Sequence, residues 1–156
     1  MPSVNPGPAV TQTQQTVDVL TPVSTNNNPV VQGSNALRLL AVAKGINANA
    51  VGDTAMQIIN ATNWTATTVV LSNASISLTT ATAGIFTLPG ATGVAIRTAA
   101  SALTALTGPT VTNAAAATAA GIALNATVQT IYFNIAVAQG AAATLDAYLY
   151  GYDLSP

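Results

Sequence analysis

The chain is predicted to be all-β: an antiparallel β-sandwich, jelly-roll-like, with one short helical insertion and an extended N-terminal arm. Three observations predict it. Apolar residues recur at every second position in several short stretches, Gly, Pro, Asn and Ser separate those stretches at close intervals, and helical spacing is confined to one region. A length of 156 residues suits one such domain rather than two.

Residues 1–34 hold Pro2, Pro6, Pro8, Pro22 and Pro29, along with Gln12, Gln14, Gln15 and the run Asn26-Asn27-Asn28. A segment of this kind buries too little apolar surface to offset its ordering entropy, so a flexible arm is expected there. Two β-prone patches interrupt it, one with Val17, Val19 and Leu20, the other with Val30 and Val31. Both are candidate attachment points that add to a sheet edge on a neighbouring subunit. The folded domain is expected over residues 35–156.

Its first strand is read over Ala36–Lys44, with Leu37, Leu39 and Ala41 on one face and Arg38, Leu40, Val42 and Lys44 on the other. A second follows at Thr54–Asn60 with Met56, Ile58 and Ile59, and a third at Thr67–Leu71. Val69 and Leu71 are odd-numbered whereas Ile76 and Leu78 are even, which calls for a turn or bulge at Ser72–Ser75. Further short strands are expected at Ile76–Thr79 and Gly84–Leu88, the latter stopped by Pro89-Gly90. Between Arg97 and Leu106 the spacing turns helical, with Ala99, Leu103 and Leu106 on one side and Gly108-Pro109 as the stop. One short helix is predicted there, and Asn113 is a candidate cap for another turn through Ala120.

The stretch Thr127–Tyr152 reads as a two-stranded hairpin. Ile131, Phe133, Ile135 and Val137 alternate on the first strand, and Leu145, Ala147 and Leu149 on the second, marking a core face. The opposite face carries all four tyrosines: Tyr132, Tyr148, Tyr150 and Tyr152. Tyrosine is large, stiff and amphipathic, so such a row suits an interface between subunits of a homo-oligomer. The competing reading is that a second layer of the same chain covers it.

Only seven residues are charged, Asp18, Arg38, Lys44, Asp53, Arg97, Asp146 and Asp153, and there is no Glu, His or Cys. Ordinary domains are about one quarter charged, so this surface is either Thr, Asn, Ser, Gln and Ala or is covered by neighbours. A net charge of −1 offers no basic footprint for nucleic acid, so no such partner is expected. The most apolar region, Val94–Leu124, is broken by Arg97, Gly108-Pro109 and Asn113, which argues against a membrane span. The start, Met1-Pro2-Ser3-Val4, does not read as a secretory signal, and synthesis in a cytoplasm is expected. Without His or Cys no nucleophilic triad or ordinary metal site can be assembled, so neither an enzyme nor a cofactor is expected. A pairing of two of the four aspartates remains as the one route to acid-base chemistry.

The words Leu71-Ser72-Asn73-Ala74-Ser75-Ile76-Ser77-Leu78-Thr79-Thr80-Ala81, Gly84-Ile85-Phe86-Thr87, Ala102-Leu103-Thr104-Ala105-Leu106-Thr107 and Gln139-Gly140-Ala141-Ala142-Ala143-Thr144 resemble a class of small tailed-phage virion proteins. The resemblance spans roughly residues 54–154. It implies a capsid decoration, or cement, protein: a small β-domain on the outer surface of the capsid, bound to the major capsid protein, often as a trimer, tying capsomers together. An alternative expectation is a receptor- or glycan-binding domain of a tail fibre or head spike.

Overall fold

Alternation of apolar and polar residues makes strands wherever one face must be buried, and eight such segments fold in the computed structural model, which describes residues 37–155. They are β1 (Leu37–Asn47), β2 (Gly52–Gln57), β3 (Trp64–Ser72), β4 (Thr82–Leu88), β5 (Thr92–Arg97), β6 (Asn113–Ala116), β7 (Thr130–Val137) and β8 (Thr144–Asp153). One four-residue helix, α1 (Ala119–Ile122), lies between β6 and β7. The strands form two antiparallel four-stranded sheets, ordered β1-β8-β3-β6 and β2-β7-β4-β5. Pairing is nested: the first strand lies beside the eighth, the second beside the seventh, the third beside the sixth and the fourth beside the fifth. Predicted arm residues Val17, Val19, Leu20, Val30 and Val31 lie outside the described residues.

The two inward faces supply the core. Met56, Ile85, Ile96, Ile131, Phe133 and Ile135 come from one sheet, and Leu40, Trp64, Val69, Leu71, Leu145 and Leu149 from the other. Trp64 is fully buried, and its indole N–H is satisfied by the Val128 carbonyl at 3.0 Å. Both long sides of the sandwich are laced. On one, Ile59 N–H donates to the Leu40 carbonyl at 2.7 Å, and on the other Thr118, the cap of α1, donates its N–H to the Ile96 carbonyl at 2.9 Å.

Several sequence expectations need correction. β7 and β8 do not form a hairpin; they belong to different sheets, and residues 138–143 carry the chain from one sheet to the other. Alternation reports which residues face inward, and an arch between two sheets leaves the same alternation as a turn within one. No helix forms between Arg97 and Leu106. There Ala102 bridges to Thr82, and Leu103 and Leu106 are drawn into the core, their spacing met by a single turn in which Leu106 N–H bonds the Leu103 carbonyl at 2.8 Å. Asn113 caps nothing and instead starts β6, because Ala114 and Ala116 find a ladder on β3. Ile76–Thr79 is not a strand: Leu78 is buried but Ile76 is 39% exposed. β5 was not anticipated. In β1 a bulge after Leu39 puts both Leu40 and Ala41 into the core and leaves Leu39 on the outer face, so the strict alternation expected there, with Leu39 and Ala41 on one face and Leu40 on the other, is broken.

Gly151 shows how tightly β8 is held. A Cβ at that position would overlap the Thr65 carbonyl oxygen on β3 and come within 2.6 Å of a Leu40 methyl group. The backbones meet there only because the residue has no side chain. Gly151→Ala is therefore expected to destabilise the domain by about 3 kcal/mol, and Phe133→Ala by about 4 kcal/mol through the cavity it leaves. Chemical denaturation monitored by Trp64 fluorescence measures both; a loss below about 1 kcal/mol for Gly151→Ala would mean that β3 and β8 part there at little cost.

Candidate functional site

Because β8 runs between β1 and β3, its outer face is flanked on both sides. Tyr148 lies between Val42 on β1 and Val70 on β3, with Ala114 of β6 beyond. Tyr150 lies between Leu39 and Thr68, with Ala116 beyond, and Tyr152 between Leu37 and Thr65. Directly opposed side chains on antiparallel strands are about 5 Å apart, so these three rows form one continuous aromatic and aliphatic surface. Leu37 and Tyr152 are 56% and 40% exposed, and Tyr148 and Tyr150 are half-buried. None of the rows contains a charged residue.

Tyr132 is elsewhere. It lies on β7 between Ala55 of β2 and Phe86 of β4, on the outer face of the other sheet. The expected single face of four tyrosines is thus divided, three on one side of the sandwich and one on the other. The partners that complete the three-tyrosine face, Leu39, Val42, Val70, Ala114 and Ala116, escaped sequence reasoning, since cross-strand register is not written in any local pattern. Only the doublet Leu39-Leu40 carried a signal, two adjacent apolar residues that a regular strand cannot place on the same face.

The charged residues are dispersed. Asp146 sits at one end of the tyrosine face, 7% exposed, and accepts from Gly45 N–H at 2.8 Å and Asn73 Nδ2 at 3.2 Å, with the Tyr148 hydroxyl at 3.4 Å. Asp53 accepts from Gly90 N–H at 2.7 Å and Asn134 Nδ2 at 2.8 Å, which ties the β4–β5 turn to β2 on the far side of β7. Asp153 is paired with Arg38 at 2.6 Å, while Arg38 also donates to the Ile59 carbonyl at 2.8 Å. Asp146 and Asp153 are seven residues apart on one strand, about 23 Å, too far to share a substrate bond. Among the described residues no cluster of three metal-binding side chains occurs.

Two groups have unusual electrostatics. Burial pushes the Asp153 carboxyl up, but the hydroxyl and N–H of Ser155 and the charge of Arg38 outweigh it and hold the group below the usual carboxylate range. Arg97, at the end of β5, is 8% exposed, and burial lowers its affinity for its proton. Its only bond among the described residues is from Nη2 to the Ala102 carbonyl, a long 3.4 Å, and its buried Nε–H has no partner. Desolvating a cation without a counter-ion costs several kcal/mol.

Comparison with protein-family models, curated proteins and solved structures finds no match to this chain. The surface of Tyr148, Tyr150 and Tyr152 is the strongest candidate for binding, because it joins large rigid side chains to an absence of charge.

The Arg38–Asp153 pair closes the end of the sandwich opposite Asp146 and makes a pH-dependent contribution. Since the folded Asp153 value is depressed, its stabilisation is complete above the unfolded value of about 3.9 and is lost as pH falls through the folded value. Asp153→Asn should remove that part of the acid slope of the melting temperature, and Arg38→Ala, which leaves a buried carboxylate unpaired, should cost about 2 kcal/mol at neutral pH. Thermal melts from about pH 6 to about pH 2 test both, and an unchanged acid limb in Asp153→Asn contradicts the assignment.

Proposed function

We propose that this protein is a structural virion component: a capsid decoration, or cement, protein that binds the major capsid protein on the outside of a tailed-phage head and stabilises capsomer junctions. The observation that carries the reading is the charge-free surface of Leu37, Leu39, Val42, Val70, Tyr148, Tyr150 and Tyr152, covering the outer side of a sheet in a chain with seven charges. A patch of this kind is kept in water only at a cost to solubility, and its cover is a like surface or a partner. The nested order of the eight strands supports placing the sandwich among jelly rolls, a fold common in virion proteins. The sequence resemblance points the same way.

In this reading the three tyrosines are buried between subunits of a homotrimer, and residues 1–34 contribute to attachment. Each subunit binds modestly, and strength comes from several engaging the shell together. Tyr132, on the other sheet, lies outside this interface. A receptor- or glycan-binding domain of a fibre or spike is the second reading, favoured by the exposure of Tyr152, whose ring is open to stacking on a sugar.

Replacing Tyr148 and Tyr150 with Ser is expected to leave a folded monomer, since truncating a buried interface tyrosine costs on the order of 2 kcal/mol and symmetry repeats the loss. Light scattering read beside a thermal melt tests this, and an oligomer that survives the double change refutes the interface. Added to undecorated shells of the encoding phage, the protein should bind in proportion to the major capsid protein, whereas a fibre or spike domain binds in few copies. Gel densitometry of the purified particles counts them. Removing residues 1–34 should weaken shell binding, and unchanged binding would show that the arm takes no part.

A further inference from the structure

A strand at the edge of a sheet turns unpaired N–H and C=O groups outward, and proteins blunt such edges with charge, proline or bulges. The two sheets have four edge strands: β1, β2, β5 and β6. Three of them are blunted. β1 carries Arg38 and Lys44, breaks register twice against β8 and is bridged at Ala41 by Ile58. β2 carries the exposed Asp53. β5 breaks register twice against β4, and its Ile96 carbonyl is taken by the N–H of Thr118. β6 has no charge, no proline and an unbroken register on β3. Its inward residues Asn113 and Ala115 are only half-buried, so among the described residues nothing covers this edge.

The register shows which groups are open. Ala117 N–H donates to the Thr67 carbonyl at 2.8 Å, and hydrogen-bonded pairs recur at every second residue of an antiparallel ladder. Ala115, opposite Val69, and Asn113, opposite Leu71, therefore turn their backbone groups to β3. Ala114 and Ala116 turn theirs away. Among the described residues no hydrogen bond outside the ladder reaches either of them, whereas Thr118, the next residue facing that way, is satisfied by Ile96. The open edge thus offers one donor and one acceptor on each of two alanines.

We propose that β6 pairs antiparallel with β6 of a second copy of this chain, across a two-fold axis at Ala115. Ala114 of each copy then lies opposite Ala116 of the other and exchanges both hydrogen bonds with it, so every open group on the edge is satisfied by its own counterpart. A two-fold contact sets a surface against itself, and an edge without charge brings no like charges together. Methyl side chains let the two backbones approach. The pairing also continues the apolar surface, whose rows end on the exposed Ala114 and Ala116. The row Tyr148, Val70, Ala114 runs on into Ala116, Thr68 and Tyr150 of the second copy. This contact is separate from the homotrimer interface proposed above and joins one such oligomer to its neighbour. Four residues a side are far fewer than the roughly 20–30 of a stable interface, so the pair is weak alone and gains strength where many copies repeat it.

The chain has no cysteine, so introduced thiols report a single pairing. Opposed residues of a hydrogen-bonded pair have Cα atoms about 5.5 Å apart, within disulfide reach, whereas Ala114 of one copy and Ala114 of the other lie beyond about 7 Å. Full-length chain carrying Ala114→Cys is mixed with full-length chain carrying Ala116→Cys and oxidised with diamide. Disulfide dimers are expected at a yield several-fold above that of either variant alone. Equal yields, or no dimer in the pure protein, overturn the proposal; the second result leaves the edge to a strand of another protein. Ala115→Cys, at the axis, should cross-link to itself, and Ala114→Pro added to it should cut that yield several-fold. Proline there removes only an outward N–H, so the ladder to β3 and the thermal melt are expected to survive. A folded proline variant that cross-links as before also overturns the pairing. If Ala114→Pro unfolds the domain, the comparison of mixed with single variants still decides. The same cross-links made in the Tyr148→Ser, Tyr150→Ser chain separate the two readings. Dimers that persist there while shells are not bound refute only the function proposed above, and shells bound without any cross-link refute only the edge pairing.

Discussion

Everything in this domain depends on the apolar faces of β7 and β8 meeting across the core instead of lying side by side. Ile131, Phe133 and Ile135 face Leu145, Ala147 and Leu149 from opposite sheets, and sheets packed this way stand about 10 Å apart. Each strand then recruits two neighbours, β2 and β4 on one side and β1 and β3 on the other. The nested order follows, because a strand pairing with an early partner forces the next to pair with a later one. The same geometry puts Tyr132 and the other three tyrosines on outer faces that point away from each other.

Scarcity of charge shapes what surrounds that core. Asp53 and Asp146 have no cationic partner among the described residues and act as polar ties between loops and strands, each accepting from a backbone N–H and an asparagine amide. A carboxylate satisfied by such donors can do without a counter-ion, even where it is buried as Asp146 is. Arg97 has no comparable arrangement. A guanidinium cannot shed its proton to escape the cost, so its burial is the one electrostatic debt in the described domain.

Much of the strand content was legible. The alternating segments around Leu71, Ile85, Ile131 and Leu149 became strands, and the residues expected to face inward are buried except Val137, which ends β7 and is 49% exposed; period-two burial is a local property of a chain that has one wet and one dry face. Helical spacing between Arg97 and Leu106 misled, because two leucines three residues apart fill a core equally well from a turn. Ala114–Ala116 misled in the opposite direction: alanine favours helix, yet the open edge of β3 offered a ladder and the tertiary pairing prevailed. Of the candidate site, the tyrosines themselves were visible, but Val42, Val70 and Leu39 were not, because each is brought there by register with a strand far along the chain.

The amino-acid sequence by itself determined that the domain is built of strands, which side of most of them is dry, and that the surface would be nearly without charge. These are properties of side-chain chemistry and of the two-residue repeat of an extended backbone. Tertiary structure alone decided that Thr130–Val137 and Thr144–Asp153 lie in different sheets, that three tyrosines share a face and the fourth does not, and that Arg97 is buried away from every carboxylate of the described residues. Those outcomes depend on which faces meet across the core, a choice made by packing between residues distant in the chain, to which no local pattern is sensitive.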